Sequence, residues 1–117
     1  MKHFDFLIQG GAKKPYTIQV YYEENGMIND ARCSCPAGKS SGIICKHIMA
    51  VFAGDVDNLV SENYDDFLDV FDSASHLEIK DIYYDEYLTA TSQHKKTKAS
   101  KKIRAILNET LLNRKSE

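Results

Sequence analysis

The chain has 117 residues, 43% hydrophobic and 27% charged, with two prolines, six glycines, three cysteines and a formal net charge of −2. That length suits one small domain rather than two. No charged start leads into a long apolar stretch and a small-residue cleavage site, and no apolar run reaches membrane-spanning length, so the sequence reads as soluble, intracellular and without a membrane partner.

The charge is distributed in blocks. Net charge is +2 over residues 1–54, −10 over 55–87 and +6 over 88–117. Blocks of this kind bear on partners and on attraction within the molecule more than on fold.

Phe4, Phe6 and Ile8 alternate with other residues at the two-residue period of a strand with one buried face. A second strand has Tyr16, Ile18, Val20 and Tyr22 on one side and Thr17, Gln19 and Glu23 on the other. Asn25-Gly26 follows, a pair suited to the positive φ angles of a two-residue type I′ hairpin turn. Such a turn sets Glu24 opposite Met27, Val20 opposite Ala31 and Ile18 opposite Cys33, with Met27 to Arg32 as the third strand.

From Cys45 the period becomes helical. Ile48, Val51 and Phe52 share one face, and Gly54 is a terminator. Tyr64, Phe67, Leu68 and Phe71 then form an apolar stripe opposite Asp65, Asp66, Asp69 and Asp72, which predicts an amphipathic helix with an acidic outer face. Ile79, Ile82 and Tyr83 suit a further helical face, although Tyr84, Tyr87 and the β-branched residues leave that assignment open. Residues 91–100 read as a loop or an exposed helix start, and Ile103, Ile106, Leu107 and Leu111 mark a final amphipathic helix.

Cys33, Cys35, Cys45 and His47 carry the chemistry. Three cysteines cannot all pair internally, and two of them stand one residue apart, so reduced metal-binding thiols fit better than disulfides. Three thiolates and an imidazole suit a closed tetrahedral zinc site, with one structural zinc ion per chain. Residues two apart on an extended strand point the same way, so Cys33 and Cys35 share an ion where the strand ends, and Pro36 turns the chain away. Within a helix, residues two apart differ by roughly 200° around the axis, so Cys45 must lie at or before the first turn. There the helix terminus also stabilises a thiolate. The nine residues between Cys35 and Cys45, with Gly38 and Gly42, read as a flexible connection. His3, His76 and His94 lack a partnered spacing and read as ordinary surface or core histidines.

This pattern resembles the SWIM zinc-finger family, whose signature is Cys-x-Cys, a variable linker and Cys-x-His. The resemblance rests on Cys33, Ser34, Cys35, Pro36, Cys45, Lys46 and His47, with the hairpin before them and the apolar helix after, and covers roughly residues 16–54. It implies a nucleic-acid-binding or protein-interaction module, because the family occurs in transposases, chromatin-type ATPases and other multidomain proteins.

The fold expected is α+β: a small antiparallel three-stranded sheet with a zinc-stapled helix, followed by additional amphipathic helices. Residues 1–54 form the zinc-binding hairpin and helix core, 55–90 an acidic helical extension packed on it, and 91–117 a basic linker and C-terminal helix. Candidate nucleic-acid contacts are Lys39, Lys46, Lys95, Lys96, Lys98, Lys101, Lys102 and Arg104, with Lys13 and Lys14 near the finger, since phosphate neutralisation needs clustered cations. A solvated basic face accounts for the same run, and the acidic middle interrupts a continuous basic surface. The competing expectation is a protein partner or homodimer contacted through the aromatics of 64–71 and 83–87, which otherwise fill a core. An enzyme is disfavoured. Four protein ligands leave zinc no open position, the glycines do not form a phosphate-binding loop, and no cysteine remains as a nucleophile.

Overall fold

The computed structural model describes residues 2–114. Strands β1 (Lys2–Ile8), β2 (Tyr16–Tyr22) and β3 (Ile28–Cys33) form one antiparallel sheet in the order β1-β2-β3. Helices α1 (Pro36–Ser41), α2 (Lys46–Ala53), α3 (Tyr64–Ala74), α4 (Ile79–Ile82) and α5 (Gln93–Thr110) follow. A π-helical turn, Tyr83–Tyr87, continues α4, and short 3-10 turns lie at Ser75–Leu77 and Leu112–Arg114. The architecture is α+β, as the sequence patterning predicts. Among the described residues no helix is long and apolar enough to cross a membrane.

The alternation of the strands sorts the sheet into two faces. Phe6, Ile18, Val20 and Ala31 are fully buried and Cys33 nearly so, whereas His3, Asp5 and Arg32 on the other face are exposed. Ile48, Val51 and Phe52 of α2 enter the same core as Ile18 and Val20, together with Phe67 and Val70 of α3 and Ile103 and Leu107 of α5. The helix after the second pair of ligands therefore packs on the face that carries Cys33, as the hairpin register requires.

That register holds although the turn differs from the one expected. Glu23 N–H donates to Met27 O (2.8 Å) and Gly26 N–H to Glu23 O (2.9 Å), so the loop spans residues 24–26 rather than two. Gly26 has φ +85°, whereas Asn25 does not adopt the positive φ a type I′ turn needs. A three-residue loop closing on a left-handed glycine is the next commonest hairpin connection. It displaces the pairing by one residue, giving Tyr22 opposite Ile28, and a bulge then restores it, giving Tyr21 opposite Asp30, Val20 opposite Ala31 and Ile18 opposite Cys33. The bulge absorbs Asn29, and the two deviations cancel before the ligands are reached.

Both edges of the sheet are covered. Along β1, Ile8 bridges Leu59, Gln9 N–H donates to Asn58 O, and Val60 N–H donates to Leu7 O. Along β3, Arg114 donates from Nη2 to Ala31 O (3.0 Å), from Nη1 to Gly42 O (2.6 Å) and from Nε to Asp30 Oδ1 (2.6 Å), while Asn113 donates to Asp30 Oδ2 (3.0 Å). Asp30 is only 4% exposed. Burial alone would raise its carboxyl pKa, but the hydrogen bonds from Arg114, Asn113 and the Ala31 N–H, with the Arg114 charge, hold it below the ordinary carboxylate value. Edge groups paired in this way are withdrawn from pairing with another chain.

Two local expectations need correction, and the open choice over residues 91–100 is decided in favour of a helix start. The connection after Cys35 is not simply flexible: Pro36 occupies the first turn of α1, and Gly42 ends it in a left-handed conformation. The buried stripe of α3 consists of Phe67, Val70 and Ala74, with Phe71 half-buried, while Tyr64 (48%) and Leu68 (36%) are exposed. Helix α5 starts ten residues before Ile103, with the Ser92 hydroxyl accepting from the Lys95 N–H as its N-cap. Its first turns are polar all round, which hid them from the periodicity.

Candidate metal centre and the adjoining cleft

The four predicted ligands converge from three elements. Cys33 ends β3, Cys35 caps α1 and Cys45 caps α2, and His47 lies in the first turn of α2. Cys45 has extended backbone (φ −86°, ψ 173°), so it escapes the angular conflict that two helical residues at that spacing would meet. Cys35 accepts from the Gly38 N–H at the start of α1 (3.4 Å). A side chain at Gly38 is excluded, because a Cβ there would lie 2.5 Å from the Cys33 carbonyl oxygen.

The three sulfurs and one imidazole nitrogen all lie within 4.8 Å of one another. His47 Nδ1 is 3.8 Å from Cys33 Sγ and 3.7 Å from Cys45 Sγ. Ligand atoms around a tetrahedral zinc, with bonds of about 2.0–2.3 Å, stand roughly 3.5–3.8 Å apart. The donors therefore fit this ion in type, number and spacing. The three cysteines are buried, which suits a structural rather than an accessible site.

Without an ion, the side chains favour a thiolate at one ligand and a thiol at its neighbour. The Cys33 thiol contact holds the Cys45 thiol down to about 4 against the opposing effect of burial, and His47 reinforces it. The same contact, with burial, pushes the Cys33 thiol far up. The side chains alone thus divide one negative charge unevenly between neighbouring buried sulfurs. A divalent cation favours the thiolate form at every ligating sulfur.

A supporting shell absent from the sequence reading fixes the imidazole. The Tyr16 and His47 rings lie 5.1 Å apart, tilted by 48°. Gly10 backs both: a Cβ there would be 2.5 Å from Tyr16 Cε2 and 3.0 Å from His47 Nε2. Tyr16 read as a strand residue, and nothing local in the sequence ties it or Gly10 to the ligands. Groups behind a metal-bound histidine set its ring orientation and hence its affinity.

Hairpin, ligand set and following helix define a small zinc-binding module in which Cys33, Cys35, Cys45 and His47 hold one structural zinc ion. Residues 18–53, about a third of the chain, match the family model of the SWIM zinc finger, so this segment is similar to a finger of that family. No curated protein and no solved structure matches the chain.

The cationic residues divide into groups. Lys95, Lys98 and Lys102 line a cleft with Asp85 and Glu86, and Lys102 Nζ is 2.6 Å from Glu86 Oε1. Lys39, on α1, and Lys101, on the exposed side of α5, stand apart from the clefts described here. Lys13 and Lys14 lie in the exposed loop after β1. Lys46, Lys96 and Arg104 come together beside the zinc ligands. A cleft of 490 Å³ lined by the zinc ligands Cys35, Cys45 and His47 together with Tyr16, Ile43, Lys46, Tyr87 and Arg104 adjoins one of 270 Å³ that shares the last three residues and adds Lys96. No carboxylate among the described residues lines either cleft.

Two contacts position this wall. Arg104 Nε donates to Ile44 O (3.2 Å), holding the guanidinium next to the chain that enters α2. Tyr87 stacks on Tyr83 at 5.6 Å and 18°, and the Tyr83 hydroxyl donates to Asp55 Oδ2 (2.9 Å). Burial, with that carboxylate, raises the Tyr83 phenol well above its ordinary value, so it remains a hydrogen-bond donor.

Proposed function

We propose that this chain is a non-enzymatic, intracellular nucleic-acid-binding or regulatory adaptor module, with zinc as its scaffold and the cationic cleft beside it as its contact surface. The observation that carries the reading is the convergence of Lys46, Lys96 and Arg104 on two adjoining clefts, with Asp55 entering only the neighbouring 420 Å³ cleft that Lys46 and Lys96 also line, in a chain of net charge −2. An anionic polymer held there releases counterions, so its affinity falls with salt. Four protein donors leave zinc no open position, which supports a structural role for the ion and disfavours zinc-based catalysis.

The contact set is narrower than the lysine-rich run suggests. Lys95, Lys98 and Lys102 face Asp85 and Glu86 and serve to neutralise the acidic segment. Fluorescence anisotropy with labelled oligonucleotides tests the division. Lys46→Ala with Lys96→Ala is expected to weaken binding and flatten its salt dependence, whereas Lys95→Ala with Lys98→Ala leaves both nearly unchanged. Absence of binding by the zinc-loaded protein at low salt would overturn the reading.

One observation favours a second reading, a protein-interaction or homo-oligomerisation module. Tyr64 and Leu68 are exposed one turn apart on α3, beside Asp65 and Asp69. Exposed aromatic and aliphatic residues rimmed by charge suit a protein contact. Sedimentation of the purified chain, and pull-down with Tyr64→Ser and Leu68→Ser variants, separates this from the first reading.

A further inference from the structure

We infer that the cleft beside the zinc site takes single-stranded nucleic acid, admitting an unstacked base against Tyr16 and Tyr87 while Lys46, Lys96 and Arg104 hold the adjoining phosphates. The inference rests on the nucleic-acid reading above and specifies its ligand.

The cations and the aromatic rings share one concave surface. In a duplex the faces of the bases are covered by their neighbours, so rings set in a cleft gain contact only with bases that have left the stack. Tyr16 and Tyr87 both line the 490 Å³ cleft, with Ile43 and Pro36 adding an apolar part of its wall and Lys46 and Arg104 its charge. This volume falls within the range of small-ligand sites, about 300–1,000 Å³, and suits a planar ring.

Both rings are braced in advance. Tyr16 lies against His47 with Gly10 behind both rings, and Tyr87 is backed by Tyr83. The Lys96 ammonium lies 5.0 Å from the Tyr87 ring centroid. Its flexible stem allows an entering base to replace it on the ring while the ammonium moves to a phosphate. Stacking on braced rings costs little ordering of the protein.

The duplex alternative has an obvious candidate in α5, the long lysine-rich helix, but its surroundings disqualify it. Ala99, Ser100, Ile103 and Leu107 face the interior, and the clefted flank with Lys95, Lys98 and Lys102 also carries Asp85 and Glu86. A helix laid in a major groove would bring those carboxylates against the phosphates. The 490 Å³ cleft has no carboxylate among its described lining residues, and its zinc-ligating Cys35 and Cys45 are offset by the ion and by Lys46 and Arg104.

The test compares labelled single strands of about ten nucleotides, a length within the usual site size, with a duplex of the same sequence, using the full zinc-loaded chain at low salt. The single strand is expected to bind about ten-fold more tightly than the duplex, a ratio that one stacked base supplies. This wild-type ratio decides without any variant: equal or tighter duplex binding overturns the single-strand inference and leaves the nucleic-acid reading standing. Binding of neither probe removes the broader reading itself. Tyr87→Leu then tests the ring, with Tyr87→Phe as the control that keeps stacking. Loss of single-strand affinity in the leucine variant alone, at unchanged melting temperature and zinc content, supports the inference. Equal affinity of the folded leucine variant and the wild type overturns it. A leucine variant that fails to melt cooperatively returns the decision to the wild-type ratio.

Discussion

Gly10→Ala puts the supporting shell of the zinc site to a direct test. The added methyl would lie 2.5 and 2.8 Å from Tyr16 Cε2 and Cδ2 and 3.0 Å from His47 Nε2, closer than carbon atoms tolerate. Tyr16 must move, and His47 stands 5.1 Å away across the ring centroids, so the displacement is passed to a ligand. Forcing a methyl into a packed site costs about 1–3 kcal/mol. Disturbing the shell behind a metal-bound histidine typically lowers metal affinity by about 10–100-fold. Gly11→Ala is the internal control, because a Cβ at Gly11 meets nothing within 4 Å. Zinc affinity is read by competition with a chromophoric chelator, and stability by thermal melting of the loaded protein. The expected result is weaker zinc binding and a lower Tm for Gly10→Ala, with Gly11→Ala close to wild type. Equal zinc affinity in the two variants would refute the claim that Gly10 and Tyr16 position His47.

Further outcomes follow from the same geometry. Native mass spectrometry of the reduced protein is expected to show one zinc per chain, and a folded, chelator-resistant protein without metal would contradict the assignment. Cys45→Ser removes a ligand and should lower the Tm far more than Lys46→Ala, a surface change expected to lie within about 0.5 kcal/mol of wild type; equal melts would place the ligands elsewhere. The Asp30 carboxyl has a pKa held below its ordinary 3.8 in the folded state, so the unfolded chain binds more protons as pH falls through that window. Its stabilisation is present above the ordinary value and is lost in acid. Arg114→Ala removes the main cause of the lowering, so the acid-unfolding midpoint should shift to higher pH; an unchanged midpoint would mean that the clamp contributes nothing.

The finger was legible because its signals are local. Alternation fixed the faces of β2 and β3, and the spacing of Cys45 and His47 required a helix start between them, which α2 supplies. The hairpin register came out right for a reason only partly foreseen, since the longer turn and the bulge at Asn29 compensate. Asp30 was illegible because, beyond the neighbouring Arg32, its partners Asn113 and Arg114 lie 83 and 84 residues away, and an aspartate in a strand looks like a solvent-facing residue. Tyr64 and Leu68 share the period of the buried α3 stripe, but the core covers that helix from a neighbouring angle, through Val70 and Ala74. The cleft needs Tyr16, Lys46, Tyr87 and Arg104, which only the packing of α5 and the π-helical turn beside the finger brings together.

The covering of the β3 edge by Arg114 also sets an order of events during synthesis. The finger and its ligands leave the ribosome well before residue 114, so β3 waits with Ala31 O and the Asp30 carboxylate lacking their Arg114 partner, Asp30 keeping only Arg32 and the Ala31 N–H. At about 5–20 residues per second, the intervening 83 residues take roughly 4–17 s. Zinc can close the ligand set within that interval, but the exposed strand remains open to pairing with another nascent chain until Arg114 docks. Slow codons between α3 and α5 would lengthen this interval, and a destabilised clamp would make it recur in the finished protein.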